Sequence, residues 1–206
     1  FPDNTVTIIS SGNHDMLTLK STDADANSGP VLVLNRDSGS PADNDACGLI
    51  KFKADDDGGN STELVNISAT FTDVSNGAED AKFNISSVIG GSQMGRFTAT
   101  ASETVLNDDS GDIDFRVESN GSTHGLFVDA GNNRIGIGTS SPDYTLHIRS
   151  MGSPSNDTIL DLEGNATDAN CGIQFTNSAG TLRGRIVYDT DDNNLQFNVS
   201  AAERAR

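Results

Sequence analysis

Tryptophan is absent from these 206 residues, tyrosine and cysteine occur twice each, lysine four times and proline five times. Glutamate is also scarce, with 6 residues against 24 aspartates. Glu, Lys, Leu and Ala are the residues on which helical proteins rely, whereas Asp, Asn, Ser and Gly favour turns and caps, so this balance argues against a helical bundle or a coiled coil. Basic residues number 13 against 30 acidic ones, giving a net charge of −17. Such a surface has no basic face to neutralise phosphates, and it is repelled by anionic lipid, so neither a nucleic acid nor a membrane surface is an expected partner. No apolar run approaches the roughly 18 residues of a spanning helix, and no signal-peptide core is present. Leu, Ile, Val and Phe supply only 46 residues, or 22%. That lies just above the rough 20% below which chains stay unfolded, so one chain is thinly supplied for a closed core.

What is abundant is Asp, Asn, Ser and Gly, together 88 of 206 residues. These favour turns and caps. Between them lie short segments that alternate with period two: Val6–Ile8, Leu17–Leu19, Val31–Leu34, Leu49–Phe52, Phe83–Ile85, Ile113–Val117, Ile135–Ile137, Leu146–Ile148, Ile159–Leu162 and Leu195–Val199. Alternation bounded by turn residues predicts half-buried strands, and Asp57-Gly58, Asn76-Gly77 and Asn120-Gly121 add turn signals. The best helix-forming stretch, Ala201–Arg206, is too short to stand alone. The expected class is all-β.

The chain repeats itself in order. Asp15–Ser21 matches Asp143–Ser150, Val31–Leu34 matches Ile159–Leu162, Asn44–Phe52 matches Asp168–Phe175, and Phe83–Ser86 matches Phe197–Ser200. The offset falls from 128 between Leu32 and Leu160 to 124 between Cys47 and Cys171 and 114 between Phe83 and Phe197. Ordered matches with length changes confined to turns indicate a duplicated module. The expected layout is a first copy over 1–90, an intervening segment over 91–142, and a second copy with shorter loops over 143–206. Cys47 and Cys171 hold equivalent positions, so they are expected as small residues packed in two interiors rather than as a disulfide.

The intervening segment carries the most specific signal. It reads Asp114-Phe115-Arg116-Val117-Glu118-Ser119, then Leu126-Phe127-Val128-Asp129, then Gly131-Asn132-Asn133-Arg134-Ile135-Gly136-Ile137-Gly138-Thr139-Ser140-Ser141-Pro142. This resembles the "DFRVES…LFVD…GNVGIGTSSP" module of bacteriophage tail-fibre and related virion appendage proteins, notably those of marine phages. Residues 202–206, Ala-Glu-Arg-Ala-Arg, are similar to the "sERMRI" that precedes a further such module. The resemblance implies a repetitive, fibrous β-structure: a homotrimer of intertwined β-prism or stalk segments, in a virion appendage outside the cell. A chain opening on Phe1 is then expected to be a piece of a longer fibre.

Within that frame, Gly136, Ile137, Gly138, Thr139 and Pro142 form the expected structural motif. Glycine inside a strand marks close backbone approach, here expected between chains near a threefold axis. Pro142 restricts Ser141 to extended geometry and ends one strand before the next. Phe115, Phe127, Ile135, Leu146, Ile148, Cys47 and Cys171 are expected interior side chains.

Catalytic patterns are weak. Gly136-Ile137-Gly138 lacks the Lys-Ser/Thr pair and the helix of a phosphate loop. His14, His124 and His147 lie near turns or on polar sides, and no Gly-x-Ser-x-Gly elbow accompanies them. Asp112 and Asp114 share one face of a strand, but 24 aspartates bring many carboxylates together without any glycosidase design. Asp23–Gly29 begins like a calcium loop, yet Leu34 stands where a bidentate Glu is needed. Asp55–Asp57 and Asp189–Asp192 are further acidic turns. Aspartates accepting hydrogen bonds from their own turn backbone are one reading of these; a structural Ca²⁺ is the other. No other cofactor is expected.

The expected function is therefore non-enzymatic: a shaft that extends and positions a receptor-binding tip, partnered by other fibre or tail segments. Any host glycan or protein would be met through another part of the fibre. A glycan-binding adhesin, with longer loops at 53–63 and 72–81, is the alternative. A polysaccharide depolymerase ranks third.

Overall fold

A computed structural model describes residues 6–151, 160–163, 171–189 and 194–199. Among them the regular structure is entirely β: twelve strands and no helix. Two compact units divide the chain, Phe1–Phe115 with Asp129–Asn133, and Arg116–Val128 with Arg134–Arg206.

The first unit holds an antiparallel meander of five strands in sequence order: β1 (Ala46–Asp55), β2 (Ser61–Asp73), β3 (Asp80–Ile89), β4 (Ser92–Ala99) and β5 (Thr104–Leu106). Its turns follow the local chemistry. Asp56 Oδ1 accepts from Gly58 N at 2.9 Å and Asn60 N at 2.8 Å, and Gly59 takes φ +78° to close the first hairpin. Gly90 and Gly91, both with positive φ, turn β3 into β4. The sheet thus continues across residue 90 through pairs such as Ile85 with Phe97.

Register makes one face mainly apolar and the other mainly polar, with Leu49 and Val105 among the apolar members of the polar face. Ile50, Ile67, Ile85, Phe97 and Leu106 form a single row across all five strands. A parallel row runs Gly48, Ala69, Phe83 and Ala99. The opposite face carries Lys51, Asn66 and Ser86 in one row and Ser68, Asn84 and Thr98 in another. That polar face is satisfied internally: Thr98 Oγ1 donates to Asn84 Oδ1 at 3.0 Å, and Lys51 pairs with Glu63 at 2.8 Å.

In the second unit, β10 (Cys171–Thr176), β11 (Leu182–Asp189) and β12 (Asn194–Val199) make a three-stranded antiparallel meander. Cys171, Tyr188 and Leu195 form one row; Ile173, Ile186 and Phe197 form the next; Phe175, Gly184 and Val199 form a third. The row centred on Ile186 resembles the row centred on Ile67, with Phe197 in the place of Ile85.

One residue separates the two copies here. Ile50 stands three positions after Cys47, but Ile173 stands two after Cys171. In an unbroken strand that difference would send the cysteines to opposite faces. The register of β1 shifts between Ala46 and Gly48, whereas the pairing at Cys171 and Gly172 is regular. This bulge absorbs the extra residue, and both cysteines line the apolar face, Cys47 beside Ile50 and Ile67, Cys171 beside Ile173 and Ile186.

The remaining sheet orders β6 (Phe115–Ser119), β7 (Ser122–Asp129), β8 (Arg134–Ile137) and β9 (Leu146–Ile148) side by side, and β8 and β9 run parallel. None of the sheets closes on itself.

Several predicted strands are not strands. Val6–Ile8, Leu17–Leu19, Val31–Leu34 and Leu160–Leu162 carry no ladder. Their apolar side chains stand in solvent, Val6 at 88% and Val33 at 71% exposure. The alternation is present, but a strand exists only by pairing its backbone, and among the described residues these segments pair with no strand. Ile159 and residues 168–170, 190–192 and 200–206, which the sequence matches and turn readings also used, lie outside the described residues.

Candidate functional site

The Gly-Ile-Gly motif sits where β8 passes into the parallel strand β9. Ile135 pairs with Leu146, Gly136 with His147, and Ile137 with Ile148. Ile135 N donates to Thr145 O and Arg149 N to Ile137 O, both at 2.8 Å. Parallel strands ordinarily need a crossover of a dozen or more residues. Here residues 138–145 suffice, and the loop is correspondingly tight.

Both glycines are demanded by that tightness. Gly138 adopts φ +76°, and a β-carbon there would fall on the carbonyl oxygen of Arg149 and within 2.7 Å of Met151 Cγ. Its N–H donates to His124 O at 2.9 Å, which ties the loop to β7. A β-carbon on Gly136 would meet Thr139 O at 2.5 Å. The close approaches expected between chains are therefore found within one chain.

The rest of the motif closes the loop on itself. Thr139 is buried, and its Oγ1 accepts from Ser141 N at 3.2 Å. Pro142 is also buried, and Arg134 Nη1 donates to its carbonyl at 2.7 Å. The Asp143 N–H donates to His147 Nδ1 at 3.3 Å. The Asp143 carboxylate lies 3.7 Å from the same nitrogen.

The expected interior residues separate into groups. Phe127 is buried at 7% exposure, with its ring edge-on to His124 at 5.3 Å. Phe115, Ile137, Ile148, Cys47 and Cys171 are half-buried. Ile135 and Leu146, partners across β8 and β9, are exposed at 41% and 55%. Arg134 and the carbonyls of His124 and Arg149 were not singled out by sequence reasoning. Arg134 adjoins the motif and could have been noticed as the long donor nearest Pro142, whereas a backbone carbonyl leaves no signature in the sequence.

Polar groups elsewhere do not converge. Ser10 Oγ lies 2.8 Å from His14 Nε2, and Thr123 Oγ1 lies 2.8 Å from His124 Nδ1. Among the described residues neither histidine has a carboxylate on its other ring nitrogen, which a triad needs to orient its base. Asp114 Oδ1 accepts from Ala130 N at 3.0 Å, and Asp112 fills the space beside Gly131. In the acidic turns Asp23 accepts from Asp25 N, and Asp25 from Asn27 N. Hydrogen bonds from Asn27 hold the Asp25 carboxyl below its ordinary range, and those from Asn60 do the same to Asp56. Among the described residues no group of three or more His, Cys, Asp or Glu side chains is gathered as a metal would require.

Comparison with protein families and with curated proteins returned no match to this chain.

Proposed function

We propose that the chain is a structural shaft segment of a phage tail fibre or spike, a homotrimer that extends and positions a receptor-binding tip for host adsorption. The observation that carries this reading is the way open sheets turn apolar faces to solvent while every motif loop closes on its own backbone. Among the described residues Phe127 and Val187 are the buried apolar side chains, far fewer than a chain of this length needs to stand alone. Sister chains supply the missing contacts, forming a repetitive β-prism stalk. The resemblance of Gly131–Pro142 to the stalk motif of virion appendages supports the same reading. The role is mechanical, outside the cell, with other fibre segments as neighbours and the host surface met elsewhere on the fibre. Strong acidity keeps such an assembly soluble and discourages lateral association.

The deciding experiment is the mass of the assembled particle by light scattering. Three chains are expected; a single chain overturns the reading. Binding of the isolated chain on a glycan array would move it from shaft to adhesin tip.

A further inference from the structure

Both meanders have one face whose paired register positions carry no carboxylate, in a chain whose net charge is −17; the bulge residues Arg96, which adjoins Leu106, and Arg183 lie outside those positions. On β10–β12 all nine register positions of that face, from Cys171 to Val199, are uncharged. Phe197 is 62% exposed there, Leu195 58% and Phe175 53%. On β1–β5 the corresponding face exposes Phe52 at 54% and Phe83 at 42%. Strands about 4.8 Å apart and five residues long make each face a few hundred Å², the size of the largest apolar patch on a typical monomer, and here there are two.

Both faces also hold the same groove at the same end. In the first copy it is about 200 Å³, and Leu34 seats against Gly48 beside Cys47. In the second it is about 280 Å³, with Leu162 beside Cys171 and Gly172. The accepted side chain is a leucine from the segment that precedes each meander, Val31–Leu34 in the first and Leu160–Leu162 in the second. The same chain carries further unpartnered leucines of this kind, Leu32 at 61% and Leu17 at 66% exposure.

We infer that the apolar faces of β1–β5 and β10–β12 are the surfaces through which copies of this chain join. The occupant is a second copy because like charges must be kept apart in any self-contact. Two chains of this acidity can meet closely where neither brings a carboxylate, and these faces meet that condition. Each copy also supplies both the apolar face and leucine segments of the kind its groove accepts. The inference rests on the self-associating shaft proposed above and assigns its contact surfaces.

The test uses the full chain and two substitutions, Phe52→Asp and Phe197→Asp, with Asn198→Asp as control. Asn198 is next to Phe197 on β12 but on the opposite face, so the control adds the same charge elsewhere. Both phenylalanines are more than half exposed in the single chain, so the charge falls on association rather than on folding. The double variant is expected to sediment as a single chain under conditions where the parent and Asn198→Asp are assembled, with association weakened at least tenfold. A double variant that keeps the parental mass overturns the assigned faces and leaves the shaft reading standing. A parent that is itself a single chain overturns both. Oxidative footprinting of the parent gives an independent reading. Phe52 and Phe197 are expected to be protected relative to Tyr144, which is 74% exposed; labelling equal to Tyr144 overturns the inference.

Discussion

The carbonyl oxygen of Arg149 occupies the space that a side chain on residue 138 would need. Gly138 is thus fixed by its own chain twice over, by that contact and by φ +76°. Gly138→Ala should cost about 2–4 kcal/mol, combining left-handed backbone strain with overpacking against backbone. Gly121, whose β-carbon would meet nothing, is the matched control, and Gly121→Ala should stay within about 0.5 kcal/mol. Urea unfolding midpoints at constant m-value compare the two. Equal midpoints would remove the loop argument.

Arg134 is the predicted keystone of the same loop. Its charge-assisted bond to the buried Pro142 carbonyl should make Arg134→Ala cost about 1–3 kcal/mol. Arg134→Lys keeps the charge but not the reach of the guanidinium, so it should recover only part. Thermal midpoints of the three proteins test this, and an Ala variant as stable as the parent would show the bond to be dispensable.

The acid limb of stability has an assigned contributor. The Glu63 carboxyl is held below its ordinary range chiefly by a hydrogen bond from Lys51, then by one from Asn66. Folding therefore favours the ionised form. The contribution is complete above the unfolded carboxyl range and is lost as pH falls through the lowered value. The melting temperature is expected to hold from neutrality to about pH 5 and to fall below it. In Glu63→Gln the fall should be shallower. A steeper fall in that variant would contradict the sign.

At the acidic turns the two readings of the sequence differ in their response to calcium. Asp56 already accepts from two backbone N–H groups, so Asp56→Ala should lower the melting temperature, as loss of a capping side chain does. A chelator should leave the parental melting temperature unchanged. A rise on adding Ca²⁺ would restore the structural-ion reading.

These features differ in how openly the sequence carried them. Leu49–Phe52, Phe83–Ile85 and Leu195–Val199 announced strands through alternation, since two-faced strands need that pattern. Val65, Ile67, Ala69 and Phe71 alternate with Asn66, Ser68 and Thr70 equally well in β2, and the sequence reading passed over a pattern that was present. Val31–Leu34 was over-read, because the pattern reports a capacity for pairing and not the presence of a partner. The motif was visible at Gly136 and Gly138, yet the reason for it was not. Which backbone approaches a glycine depends on the parallel pairing of β8 with β9, a non-local choice that spacing does not encode. The apolar faces needed the register of three to five strands at once.

The bulge beside Cys47 reaches further than its single residue. An insertion in a strand ordinarily exchanges inside for outside along everything that follows. Confined to a bulge, it is erased within one step, and Ile50 faces the way Ile173 does. Duplicated copies can therefore drift in length without losing their orientation, and descent by copying and lengthening stays open to a chain built this way.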